Sequence, residues 1–393
     1  MSSQHIAEAL ARWVVSFHVD AAPGDVLELA QLCVIDACAL AVGAVGTEEG
    51  EGINQALIGY SLPPGLGTIV AGHAARLSPG DSALVNGMLA HALQFDDGIR
   101  CAQGHPGASV VPASLASGEV ACASGPELLS AVVAGYEVFA RVGEALNPSH
   151  LRRGFHPSGT AGAIAAAAAA GKALRLEEAQ LADAIGLAGS VAGGLMEYAP
   201  TETMATYFVA GNAAREAALR ITGTDGIDPQ EISGVEVETY ELAMDECDRP
   251  DYATLAGADS SLQFAVATSL RWGRFGLPQR TMEAARDPVT RKLAAQVRVL
   301  HNPAFDERLP RERPARVTVR LRNGAECSRE VALARGEPET RLTVAEVRSK
   351  AVDVACPVLG AEGADRLLAA ITDLPAATDL HDLGAALAGR IPG

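Results

Sequence analysis

Basic residues are scarce in this chain: Lys and Arg number 31 against 48 Asp and Glu, a formal net charge of −17. No basic run occurs, which argues against a nucleic-acid backbone or an anionic membrane as partner, although a local cationic pocket can still hold a small anion. Cysteine is sparse and unpatterned. The seven thiols (Cys33, Cys38, Cys101, Cys122, Cys247, Cys327, Cys356) form no CxxC and no disulfide framework, as expected for a reducing, cytoplasmic setting. The opening MSSQHIAEALARW lacks the basic-then-apolar order of a secretory signal. No uninterrupted apolar run reaches the roughly 18 residues of a bilayer span; the stretch around Ala161–Ala170 is mostly alanine. GxGxxG, Walker, GxSxG and HExxH motifs are all missing, and no Cys/His set has zinc spacing. The expectation is therefore no cofactor and no metal, with side-chain acid–base chemistry as the simplest enzymatic reading.

What the chain does have is apolar mass: 48% hydrophobic residues over 393 positions, enough for an extensive core and for two or three domains. The first 220 or so residues are rich in Ala, Leu and Gly with helical spacing. Helices are expected over Ile6–Phe17, Asp25–Val42, Ser78–His91 (with Asp81 as N-cap), Pro112–Ala123, Pro126–Leu146, Ser158–Ala173 (capped by Ser158 or Thr160) and Glu177–Leu187. The pattern changes near Thr222. Alternating segments at 234–239, 297–300 and 315–321 read as strands, and Asn323-Gly324 signals a hairpin whose return strand begins at Glu330. Helices resume after Thr343. The expected fold is mainly α: a large all-α domain built from both chain ends (1–225 and 343–393), with a smaller α/β domain (226–342) inserted between them.

Polar residues concentrate in three places. His91-Ala-Leu-Gln-Phe-Asp-Asp leads through a Gly-bearing loop to His105-Pro-Gly, just before a helix. A histidine near a carboxylate on such a loop suits general acid–base work, although Asp96 or Asp97 could equally be a helix cap. The second cluster, His150-Leu-Arg-Arg-Gly-Phe-His-Pro-Ser-Gly-Thr160, sets two arginines and a second His-Pro step at the start of the alanine helix, where an anion could bind or an ordinary cap could form. The third, Met196 to Tyr207 followed by Gly211-Asn-Ala-Ala-Arg, reads either as pocket lining or as a loop between core helices.

At these clusters the sequence resembles the MmgE/PrpD family, which includes 2-methylcitrate dehydratase, cis-aconitate decarboxylase and iminodisuccinate epimerase. The matching residues include His91-Ala-Leu-x-Phe-Asp-Asp, His105-Pro-Gly-Ala-Ser, Gly135-Tyr-Glu-Val-Phe-Ala-Arg, Arg153-Gly-Phe-His-Pro-Ser-Gly-Thr-Ala-Gly, Ala188-Gly-Ser-Val-Ala-Gly-Gly-Leu-Met-Glu, Gly211-Asn-Ala-Ala-Arg and Pro314-Ala-Arg-Val-Thr-Val. The resemblance implies a helical domain with a smaller α/β lid, a homodimer, and a metal-free cleft between domains for small di- or tricarboxylates. It carries two family histidines onto His105 and His156. It also has departures. The family's first Asp of the acidic motif is Gln94 here, its Thr is Gly98, its lysine before Gly-Asn-Ala-Ala is Thr206, and several dozen lid residues are missing after Ala218. A pocket that is more open, or shaped for another ligand, is the expected result.

The candidate catalytic residues are accordingly His105, His156 and Asp97; Gln94, Asp96, Arg153, Ser158, Thr206 and Tyr207 are candidate substrate contacts. The expected activity is a cofactor-independent dehydratase acting on a small hydroxylated carboxylate. Epimerisation or isomerisation, decarboxylation, and a non-catalytic ligand-binding role are the alternatives.

Overall fold

The computed structural model describes residues 5–59, 64–68, 70, 76–196 and 211–389. The chain divides into two compact units: Met1–Met196 together with Val344–Gly393, and Glu197–Thr343.

The first unit is helical. Its elements are α1 (Ile6–Ser16), α2 (Gly24–Val45), α3 (Glu48–Gly59), the short strand β1 (Pro64–Gly67), α4 (Pro79–Ala92), α5 (Gly107–Val120), α6 (Gly125–Leu146), α7 (Ser149–Arg152), α8 (Pro157–Ala173) and α9 (Glu178–Val191). The helix Val344–Thr372 returns from the other end of the chain and packs along α2. Alanine lets these helices approach closely: Ala161, Ala165, Ala168 and Ala169 of α8 are buried with Val110, Ala134, Val138 and Phe139 of α5 and α6. The most membrane-like segment is α2, not the alanine run, being long and apolar enough to cross a bilayer by length and composition. Most of its apolar window is nonetheless buried inside the protein, and it carries Asp36 in an ion pair with Lys350 at 2.6 Å, as suits a core helix.

Two local departures from the sequence expectations bear on the site. Helix α5 begins at Gly107, five residues before Pro112, which lies inside it. Proline lacks the N–H that would bond the carbonyl of Ala108. Gly87 of α4 faces that carbonyl, and a Cβ at Gly87 would come within 2.7 Å of it. The early start puts His105 immediately ahead of the helix. At α4 the N-cap is Ser78, whose hydroxyl accepts from the Asp81 N–H (3.2 Å) and donates to its carboxylate (2.6 Å), so Asp81 is the third helical residue and not the cap.

The second unit carries a mixed sheet with strand order β3-β2-β4-β5, formed by Ile232–Thr239 (β2), Val297–His301 (β3), Ala315–Leu321 (β4) and Glu326–Val331 (β5). Strand β2 runs parallel to β3 (Val235 opposite Val297) and antiparallel to β4 (Val237 opposite Val317). The hairpin turn at Asn323-Gly324 is tighter than expected: Leu321 N–H bonds Ala325 at 2.8 Å, so β5 starts at Glu326 and not at Glu330. The helix expected to close the first domain, α10 (Gly211–Asp225), belongs to this unit instead. Its Ala213, Ala214, Ala217, Ala218 and Ile221 are buried with Val235, Val237, Val317 and Val319 of the sheet, an apolar stripe at helical spacing against the alternate residues of two strands.

Candidate active site

Histidine 91 occupies the last turn of α4. The helix is stopped by Gln94, which takes a left-handed conformation (φ 55°) and donates both its backbone N–H (3.1 Å) and its side-chain amide (2.9 Å) to the His91 carbonyl. This cap turns the chain so that Asp96 comes back beneath His91, with the His91 Nδ1 at 2.8 Å from its carboxylate. Asp97 Oδ1 accepts from the Gly107 N–H at 3.1 Å and so caps α5, and an Ile99–Gly104 bridge closes the intervening loop. The His105 ring is then fixed by Nδ1, 2.9 Å from the Asp97 backbone carbonyl. A carbonyl can only accept, so Nδ1 carries the proton and Nε2 keeps a free lone pair.

The two His-Pro loops meet. The His105 N–H donates to Ser158 Oγ at 2.9 Å, and the His91 ring lies 5.2 Å from His105 and 6.4 Å from His156 between centroids. His156 is itself the N-cap of α8, with Pro157 at the first helical position; neither Ser158 nor Thr160 caps that helix. Thr160 instead accepts or donates at 2.7 Å to His150 Nε2, whose ring stacks on Phe155. Behind His156 runs Gly194 (φ +146°). Its carbonyl accepts the His156 N–H at 2.9 Å, and a Cβ there would sit 3.1 Å from His156 Cβ.

Burial and charge give the three histidines different protonation states. Burial pulls His91 down, but the Asp96 carboxylate, through charge and hydrogen bond, lifts it above the ordinary imidazole value. Burial works against Asp96 as well, and His91 and His105 outweigh it, holding the carboxyl below its usual range. For His105 burial lowers the pKa, and the attraction of Asp96 only partly offsets it. Burial and the two neighbouring rings push His156 down to about 4. Asp97 goes the other way, raised to about 7 by burial and by the charges of Asp36 and Asp96. Tyr136 and Cys33 lie against it, and burial raises both of those groups too. The set therefore pairs one imidazole made more basic than usual, His91, with two made less basic, His105 and His156.

Most of the candidate residues are thereby placed. His105, His156, Asp96, Asp97 and Ser158 converge, with Ser158 and Asp97 holding backbone N–H groups in position. The Gln94 amide N–H is spent on the helix end. Arg153 is exposed at the C-cap of α7. Thr206 and Tyr207 lie outside the described residues. Sequence reasoning missed His91, although it stands five residues before Asp96, and it missed Lys350, which donates to Asp36 and to the Phe95 carbonyl, both at 2.6 Å. Among the described residues His91, Asp96 and His105 also form a group that could hold a metal ion, their ligand atoms lying within 4.8 Å of one another, which spacing along the chain did not suggest. The Nδ1 atoms of both rings are already engaged, by Asp96 and by the Asp97 carbonyl.

Helical scaffold, braced loops and clustered imidazoles of unequal acidity make a set of groups able to exchange protons. The chain belongs to the MmgE/PrpD family: the family's N-terminal domain matches residues 8–221 and its C-terminal domain residues 209–375. Among characterised proteins it is similar to the cis-aconitate decarboxylase-like protein oryM of Aspergillus oryzae, 33% identical over 202 residues, 49% of this chain and 41% of that protein. The cis-aconitate decarboxylase of Aspergillus terreus is 32% identical over 197 residues, 49% and 40% of the two chains. The human cis-aconitate decarboxylase is 36% identical over 160 residues, 38% and 33%. The matches span less than half the length of these relatives.

Proposed function

We propose that the protein is a lyase acting on a small di- or tricarboxylate, with removal of water from a hydroxylated acid as its reaction. The observation that carries this reading is the His105 tautomer: Nδ1–H is anchored on the Asp97 carbonyl and a neutral Nε2 is left as base. That nitrogen takes the proton on the carbon beside a carboxylate, the electron pair forms the new double bond, and the hydroxyl leaves. His156 supplies the proton that turns the hydroxyl into water. Burial and the neighbouring rings hold its pKa at about 4, and the negative charge of a bound polycarboxylate raises it. Contacts from Thr206 and Tyr207, a cytoplasmic location and a homodimer belong to the same proposal.

Decarboxylation of an unsaturated tricarboxylate is the second reading, favoured by the similarity to cis-aconitate decarboxylases. Proton NMR in deuterated buffer separates the two. Citrate, 2-methylcitrate, citramalate, cis-aconitate and iminodisuccinate are offered singly. New vinyl signals from a hydroxy acid mark a dehydratase, loss of CO2 with a methylene product marks a decarboxylase, and deuterium uptake alone marks an epimerase. His105→Ala and His156→Ala are each expected to lower turnover by roughly 10²–10⁴-fold. If both variants keep the wild-type rate, the acid–base assignment is wrong.

A further inference from the structure

Two of the three clustered histidines have a place in the proposed reaction; the third does not. We propose that His91 is an anion-binding group of the site, its ring edge turned from Asp96 pairing with a carboxylate of the substrate. This rests on the functional reading above, since it takes the ligand to be a carboxylic acid.

The geometry supports it in three ways. The His91 Nδ1 is tied to Asp96 at 2.8 Å, while about a fifth of the side chain stays exposed (21%). In an imidazole the two nitrogens sit on opposite sides of the ring carbon between them, so the edge turned from Asp96 bears the second N–H. Asp96 is almost completely buried (1%), and its other oxygen, Oδ1, has no hydrogen-bond partner. A carboxylate in that setting requires a positive neighbour, and His91 is the closest group that can supply one. Finally, the ring faces both neutral histidines, so a carboxylate held by His91 leaves the adjoining carbon beside His105 or His156.

Among the described residues, several other charged and titratable groups surround His91. Asp96 lies on its own segment, with Asp97 next along it; His105 comes from the loop before α5 and His156 from the start of α8. Asp36 and Cys33 of α2, Tyr136 of α6, and Lys350 form the next layer behind the acidic pair. Lys350 is engaged by Asp36 and the Phe95 carbonyl. Arg153 is on the surface. Among the described residues, a carboxylate entering beside these imidazoles meets the partly exposed edge of His91.

The test uses the full chain and tricarballylate, a tricarboxylate with no hydroxyl to lose. Side-chain imidazole NMR across pH is expected to show a histidine that titrates above the ordinary imidazole value, with its signal absent in His91→Gln. Calorimetry is expected to show the tricarballylate Kd rising at least about 10-fold in His91→Gln. Asp96→Asn removes the carboxylate that offsets the burial of His91, so it should bind weakly at about pH 7 and tighten as the pH is lowered; His91→Gln should not tighten in the same way. A purely structural role for His91 does not produce that difference. The inference is overturned if the His91 imidazole titrates at or below its ordinary value in the wild type, a measurement that needs no variant to fold. It is also overturned if folded His91→Gln binds tricarballylate as tightly as the wild type. Either result leaves the lyase reading standing wherever the wild type still turns over an acid. A wild type that neither binds tricarballylate nor turns over any acid overturns the functional reading, and the inference with it.

Discussion

Asp97 does two jobs with different parts of one residue. Its backbone carbonyl sets the tautomer of His105, and its carboxylate caps α5 through the Gly107 N–H. The carboxyl pKa, raised from 3.8 to about 7 by burial and by the charges of Asp36 and Asp96, has a consequence for stability. The folded chain binds this proton more tightly than the unfolded chain, so the stabilisation is complete below the unfolded value and is lost as pH rises through about 7. Asp97→Asn keeps the oxygen that accepts from Gly107 and has no charge to bury. Its unfolding free energy relative to wild type should therefore climb by about 2–4 kcal/mol between about pH 4 and about pH 8. Denaturant melts at several pH values check this; parallel curves for the two proteins would show that Asp97 titrates normally. None of this could be read from the sequence, which showed an acidic pair but not which member lies under His91 and which over α5.

Among the elements, the sequence told most about the long amphipathic helices and least about their ends. Ser158 illustrates why. A serine just after His-Pro at the head of an alanine helix is a natural cap by local rules. The fixed φ of Pro157 starts the helix one residue earlier, leaving the Ser158 hydroxyl free to accept from His105, 53 positions back. Pro112 misled in a similar way: proline usually marks a helix start, but here Gly87 makes room for a carbonyl that proline leaves unbonded. Such choices depend on residues distant in the chain, which local patterning cannot weigh. Ser158→Ala takes away the acceptor for a partly buried N–H, at a cost of about 1–3 kcal/mol. It also loosens a hydrogen bond between the two histidine loops. A lower melting temperature together with a lower kcat is the expected outcome; an unchanged kcat would mean that the loops hold their spacing without it.

For the whole molecule, the discontinuous helical unit and the inserted sheet were legible as a change from helical to alternating periodicity and back. The closure was not. It lies in Lys350, which reaches Asp36 and the Phe95 carbonyl across 314 and 255 positions of sequence. Lys350→Met should destabilise the protein by about 3 kcal/mol, because Asp36 is left as an unpaired, largely buried charge. Adding Asp36→Asn should restore most of that loss, since the double variant has no charge to strand. Thermal unfolding of the two single variants and the double variant tests it; purely additive losses would show that the two residues act independently.

That same long-range brace sets an order of events at birth. The turn bearing Phe95, Asp96 and Asp97 leaves the ribosome with Asp36 already made, but its lysine follows 255 residues later, a delay on the order of 10–50 s at ordinary rates of synthesis. Throughout that interval Asp36 and the Phe95 carbonyl lack their lysine partner. The brace behind the histidine cluster is thus completed among the last of the chain's contacts, after the inserted sheet has emerged and had time to fold.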